Sequence, residues 1–122
     1  MTARILVVDD EPLVSMLIED WLTELGCEVV GPARTVSDGL MLADGGPLDG
    51  AILDVNLGKD TCYSIARTLE ALGVPIAFAT GEGGLDEAQG FRNPILLPKP
   101  FEFRNVERAL EALLKRKADQ DQ

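Results

Sequence analysis

The chain contains no histidine, and its 122 residues include only two cysteines, Cys27 and Cys62. The first absence excludes histidine general bases, Ser-His-Asp and Cys-His triads, and any phosphohistidine carried by the chain itself. With so few soft ligands, most zinc sites and a disulfide framework are excluded as well. Neither cysteine has a cationic neighbour in sequence, so both are read as structural: Cys27 as an interior or edge filler, Cys62 as a helix-start residue. Positive charge is also scarce, because 11 Lys and Arg face 21 Asp and Glu for a formal net charge of -10. Such a molecule repels phosphate backbones and anionic lipid, which argues against direct nucleic-acid binding. No apolar run approaches the roughly 20 residues that span a bilayer. The start leads only into Ile5-Leu6-Val7-Val8, without a signal-peptide layout, so no membrane insertion and a cytoplasmic location are expected.

What is present is an ordinary globular balance, 46% hydrophobic and 26% charged residues, in a length that suits one domain. The domain is expected over residues 1–117, with a disordered tail at 118–122 and no output domain. The apolar runs are short and bounded by Gly, Pro and Asp: 5–8, 29–30, 51–53, 75–79 and 95–97. Continuous runs of this kind suit strands of a parallel sheet covered on both faces. Between them lie helical spacings. The first, over 12–25, has Pro12 at its start, Gly26 at its stop and Leu13, Met16, Leu17, Trp21, Leu22 and Leu25 on one face. A second covers 36–43, where Thr35 and Asp38 resemble a capping box, and a third covers 62–72, closed by Gly73. The last covers 101–117, with Phe103, Val106, Leu110 and Leu113 in register and Lys115-Arg116-Lys117 as a solvated end. Leu17, Trp21 and Phe103 are read as core residues. Residues 81–93, with four glycines and little apolar spacing, predict a mobile loop holding one short helix at best. The alternation implies an α/β fold: a single five-stranded parallel sheet, doubly wound with helices on both sides.

Ligands in such sheets sit beyond the carboxyl ends of the strands. The first strand ends in Asp9-Asp10-Glu11, the third in Asp54-Val55-Asn56, the fourth in Thr80-Gly81, and the fifth runs into Lys99-Pro100. If the first and third strands are neighbours, as in the order 2-1-3-4-5, Asp9, Asp10 and Asp54 converge on one pocket. Carboxylates so close repel one another unless a cation joins them. A hard divalent ion with oxygen ligands, magnesium or manganese, is the expected cofactor. With the ion held by Asp9 and Asp10, Asp54 is a candidate nucleophile toward phosphorus. The Lys99 ammonium and the Thr80 hydroxyl are suited to stabilise the charge spread over a transferred phosphoryl group. Pro100 suggests a cis peptide bond that aims the ammonium inward.

Four stretches, Ile-Leu-Val-Val-Asp-Asp-Glu-Pro at 5–12, Ala-Ile-Leu-Asp-Val-Asn-Leu at 51–57, Ala-Thr-Gly at 79–81 and Leu-Pro-Lys-Pro-Phe at 97–101, carry a resemblance. Together they make the chain similar to the receiver domain of bacterial two-component response regulators, from Ile5 to about Leu114. The stretch 75–83 further resembles the FATGUY group of single-domain receivers, with Glu82 where that group has an aromatic residue. The resemblance implies Asp54 as phosphoacceptor, Asp9 and Asp10 as the acidic metal site and the Asn56 main-chain carbonyl as the third protein ligand. Thr80 and Lys99 would bind phosphoryl oxygens, and the Asn56 and Glu82 side chains would tune hydrolysis. Leu96 stands where receivers carry an aromatic switch residue and is the switch candidate here.

The implied function is a single-domain regulator phosphorylated by a sensor histidine kinase or a phosphotransfer protein. It would signal by contact with a target protein or act as a phosphate sink, as a monomer or weak dimer. It is not expected to be an enzyme beyond assisting its own phosphorylation and dephosphorylation. The alternative is a phosphate-independent, receiver-like binding module. A phosphohydrolase with an aspartate nucleophile would need a second acid two residues on, where Asn56 stands. A flavin module would need a hydroxyl-rich phosphate loop where Asp9-Asp10-Glu11 stands.

Overall fold

The computed structural model describes residues 2–81, 84–86 and 89–121. Its main sheet contains β1 (Arg4–Val8), β2 (Glu28–Ala33), β3 (Gly50–Asp54), β6 (Ile76–Thr80) and β7 (Ile95–Pro98). A small antiparallel hairpin, β4 (Asn56–Leu57) and β5 (Asp60–Thr61), follows β3. Four helices complete the chain: α1 (Pro12–Glu24), α2 (Val36–Ala43), α3 (Tyr63–Ala71) and α4 (Phe103–Gln120).

The five main strands pair in parallel in the order β2-β1-β3-β6-β7. With the hairpin strands set aside, this is the 2-1-3-4-5 order, in which the first and third strands are neighbours. The unbroken apolar runs have a direct cause, because successive side chains of one strand enter opposite layers. Leu6, Val8, Ala51, Leu53, Ile76 and Phe78 join the core beneath α2 and α3. Ile5, Val7, Ile52 and Ala77 join the core beneath α1 and α4. Each fully buried Leu, Ile, Val or Phe contributes about 1.5–3 kcal/mol of transfer free energy. Both edge strands contain proline, Pro32 after a cis bond from Gly31 and Pro98 at the end of β7, which discourages pairing with further strands.

The helix signals are realised locally. Pro12 opens α1, and the Thr35 hydroxyl accepts from the Asp38 N–H at 3.1 Å to cap α2. Three expectations need correction. The buried stripe of α1 is Ser15, Ile18 and Leu22, while Leu13, Met16 and Leu17 are 81%, 54% and 40% exposed. Leu17 is therefore not core, because the apolar arc of α1 is wider than the face it lays on the sheet. Trp21 and Phe103 are half-buried and meet edge to face at 5.9 Å. Residues 118–120, expected in a disordered tail, continue α4 to Gln120. Beyond Pro100 no Gly or Pro interrupts the helix, and Lys117 and Asp121 approach to 4.0 Å across one turn.

Among the described residues of 81–93 there is no α-helix. Their segment is tied to α3 instead. The Asp86 N–H donates to the Tyr63 hydroxyl at 2.9 Å, and Arg67 donates to the Gln89 side-chain oxygen at 2.7 Å. Phe91 stacks on Tyr63 at 6.1 Å, meets Phe78 at 5.1 Å and lies under the Arg67 guanidinium at 5.4 Å. Aromatic contact thus supplies here what an amphipathic helix would otherwise supply.

Candidate functional site

Parallel winding brings the carboxyl ends of β1, β3, β6 and β7 to one end of the sheet. Val8 pairs with Leu53, Asp54 with Ala79, and Thr80 with Pro98, so the residues ending each strand lie in adjacent rows. Asp9 follows β1, Asp54 ends β3, Thr80 ends β6 and Lys99 follows β7. Carboxylate oxygens of Asp9, Asp10, Glu11 and Asp54 all lie within 4.8 Å of one another.

Asp9 and Asp54 are buried, 1% and 3% exposed. One Asp54 oxygen, Oδ1, accepts from the Asn56 N–H at 3.2 Å; the other, Oδ2, meets the Lys99 ammonium at 3.0 Å. The Lys99 main chain is fixed in turn, donating its N–H to the Thr80 carbonyl at 2.8 Å, and the Lys99–Pro100 bond is cis as expected. Asp9 Oδ1 accepts from the Glu11 N–H at 2.8 Å, but Asp9 Oδ2 is buried with no hydrogen-bond partner among the described residues.

Burial is the main reason the Asp9 carboxyl is pushed up to about 6; the Glu11 N–H opposes it and the neighbouring Asp54 charge adds to it. Asp54 is also raised, since burial outweighs the stabilising Lys99 contact. A buried acceptor left unpaired costs roughly 1–3 kcal/mol. The donor set is all oxygen, crowded and deficient in positive charge, with one orphaned buried oxygen. It suits a hard divalent cation and would not suit a soft one.

Of the residues expected at the site, Asp9, Asp10, Asp54 and Lys99 are brought together, with Thr80 at the end of the neighbouring strand. Asn56 is exposed on β4 and touches Asp54 through its main-chain N–H. Leu96 lies mid-strand in β7 and is 50% exposed. Glu82 lies outside the described residues. The sequence reading omitted Glu11 from the acidic set, although its place after Asp9-Asp10 was a visible signal. It also missed the β4–β5 hairpin, whose turn uses Gly58 at φ +67, where an added Cβ would lie 3.9 Å from Asp10 Oδ2. Cys62 is fully buried, and burial with the Asp54 charge pushes its thiol up to about 12. That agrees with a structural role for Cys62.

The raised Asp9 has a consequence for stability. The folded chain holds this proton more tightly than the unfolded chain, so the associated stability is full at low pH and is lost as pH rises from 3.8 to about 6. In the absence of divalent cation the loss is on the order of 2–3 kcal/mol. At pH 7 with chelator, Asp9→Asn is therefore expected to melt several degrees above the wild type, with a shallower pH dependence between 4 and 6. Magnesium should raise the wild-type melting temperature more than that of Asp9→Asn. Thermal melts across this pH range check both; a lower melting temperature for Asp9→Asn in chelator would reject the strain assigned to this carboxylate.

The family model for the response regulator receiver domain matches residues 5–111. The chain is 31% identical over 121 residues to the phyllosphere-induced regulator PhyR of Methylorubrum extorquens, covering 93% of this chain and 44% of that protein. The chain thus spans less than half the length of that relative. It is similar to the solution structure of SdrG from Sphingomonas melonis Fr1, with 40% identity and a TM-score of 0.81 over 93% of this chain and 97% of that one. It is also similar to the receiver domain of sensor histidine kinase PA1611 from Pseudomonas aeruginosa PAO1, with 25% identity and a TM-score of 0.80 over 94% and 99%. The structure of that domain has a magnesium ion coordinated in its active-site cleft.

Proposed function

This chain belongs to the response regulator receiver domain family, and on that premise we propose that Asp54 accepts a phosphoryl group from a histidine kinase or a histidine phosphotransfer protein. The observation that carries this reading is the Lys99 ammonium 3.0 Å from a buried Asp54, beside the Asp9 oxygen that lacks a partner. An Asp54 carboxylate oxygen attacks phosphorus, forming an O–P bond. The P–N bond to the donor imidazole breaks, and the nitrogen keeps the electron pair. Lys99 and the Thr80 hydroxyl take up the charge on the phosphoryl oxygens. A magnesium or manganese ion held by Asp9, Asp10 and the Asn56 carbonyl would supply further charge neutralisation there. Asn56 and Glu82 tune hydrolysis of the acyl phosphate in this reading, and the output is either a target contact or drainage of phosphate from the donor.

The donor must bring its imidazole to the mouth of the site. Helix α1 starts three residues after Asp9 and presents Leu13, Met16 and Leu17 to solvent, an apolar strip suited to a protein donor. Intact-mass measurement with a small phosphodonor is expected to record one phosphoryl group, dependent on magnesium. Leu13→Glu is expected to leave that reaction unchanged and to slow transfer from a phosphorylated histidine protein about tenfold or more. Equal slowing with both donors would remove α1 as the donor surface. No phosphoryl gain from either donor would reject the phosphoacceptor reading. It would favour the phosphate-independent binding module, a reading that Leu96 at the switch position allows.

A further inference from the structure

We propose that the groove between the start of β6 and the end of α4 is a docking site for a protein segment that inserts an apolar side chain flanked by acidic residues. The groove lies at the opposite end of β6 from Thr80 and is separate from the carboxylate site. Its floor is Val74, Ile76 and Phe78, and Phe91 forms a wall. Its volume of about 190 Å³ is smaller than the roughly 300–1,000 Å³ of small-molecule pockets. It accommodates a single inserted side chain, with the rest of the occupant lying across the surface.

The rim carries the specificity. Arg92, on the connection into β7, and Arg116, near the end of α4, both line this groove. Neither guanidinium has an ion-pair or hydrogen-bond partner among the described residues, a state shared by Arg34, Lys59, Arg104, Arg108 and Lys115, but only these two stand together on the rim of one groove. Glu70 is the acidic lining residue, which leaves a net positive rim. In a chain of net charge -10, two guanidiniums without partners among the described residues, beside the partly exposed Phe91 and Pro94, form a local reversal of sign. Complementary carboxylates on a partner would be recognised by both, and basic partners would be rejected by charge.

The β6–β7 connection has no α-helix among its described residues, and it contributes Phe91, Arg92 and Pro94 to the groove. Phe91 is held inward by Tyr63 and Phe78, and the chain then turns at Asn93, φ 45, into Pro94. That turn sets Arg92 outside while Phe91 faces the floor.

The test uses the full-length chain, labelled with nitrogen-15, and two blocked hexapeptides: Leu-Phe flanked on each side by two Glu, and the same centre flanked by two Lys. The acidic peptide is expected to shift amide resonances of Val74, Ile76 and Phe91 saturably, and to bind about tenfold or more tighter than the basic one. Arg92→Glu with Arg116→Glu should reduce that affinity about tenfold or more while leaving the melting temperature unchanged. The milder pair Arg92→Gln with Arg116→Gln should give an intermediate loss. Equal binding of the two peptides, shifts centred elsewhere, or no saturable binding at millimolar peptide would overturn the proposal. So would groove shifts that appear on concentrating the chain alone, which would assign the groove to a second copy. Saturable shifts with free glutamate equal to those with the acidic peptide would reduce it to adventitious anion binding.

Discussion

Asp54→Ala is expected to abolish phosphoryl gain from a small phosphodonor, a loss on the order of 10³-fold or more. The geometry leaves little room for a substitute. Asp54 is the carboxylate in contact with the Lys99 ammonium, and the phosphoryl charge must be met by that cation. Asp9 and Asp10 stand close by, but in the proposed arrangement they serve the cation and lack the Lys99 contact. The isosteric Asp54→Asn provides the control for folding. Burial raises the Asp54 carboxyl, so removing its charge relieves repulsion within the acidic cluster. The Asn variant should therefore melt no lower than the wild type at neutral pH while staying inert to the donor. Intact mass and a thermal melt on the same samples decide the point. A wild-type rate of phosphoryl gain in a folded Asp54 variant would refute its assignment as nucleophile.

Lys99→Ala is expected to slow phosphorylation by about 10²–10³-fold, the usual consequence of removing one preorganised donor from developing negative charge. Two further readouts separate this role from simple structural support. Lys99 lowers the Asp54 pKa against the effect of burial, so its loss leaves the carboxyl higher still. The reactive form is the carboxylate, and activity falls as pH drops through that pKa. The acid limb of the pH–rate profile should therefore move to higher pH in Lys99→Ala. Lys99→Arg keeps the charge with a bulkier, planar group and should recover only part of the rate. An unshifted acid limb together with a wild-type rate would show that the 3.0 Å contact carries no chemistry.

The legible parts of this protein were those in which local chemistry and tertiary placement coincide. The parallel sheet was readable because strands covered on both sides must be apolar at every position, as Ile5 to Val8 and Ala51 to Leu53 are. The site was readable because parallel winding delivers the end of each strand and whatever follows it to the same end of the sheet, and Asp54 and Thr80 end their strands while Asp9 and Lys99 follow theirs. Thr35 as a cap and Pro12 as a first-turn residue act within one turn, so sequence neighbours suffice to identify them.

Other features depend on contacts between residues far apart in the chain. Leu13, Met16 and Leu17 are as apolar as Ile18 and Leu22, and only the position of α1 against the sheet decides which are exposed. Phe91 reads as a loop residue until Tyr63, 28 positions earlier in the numbering, and Phe78 are found around it. The Asp9 oxygen, Arg92 and Arg116, which lack partners among the described residues, owe this to their surroundings, which no residue type specifies alone. By itself the sequence determined the parallel sheet and the residues gathered at its carboxyl end, because those follow from apolar patterning and strand direction, while the strand order rested on resemblance to the receiver family. Tertiary structure alone decided which apolar and charged groups are left without partners, because burial and pairing depend on what the folded chain brings alongside them.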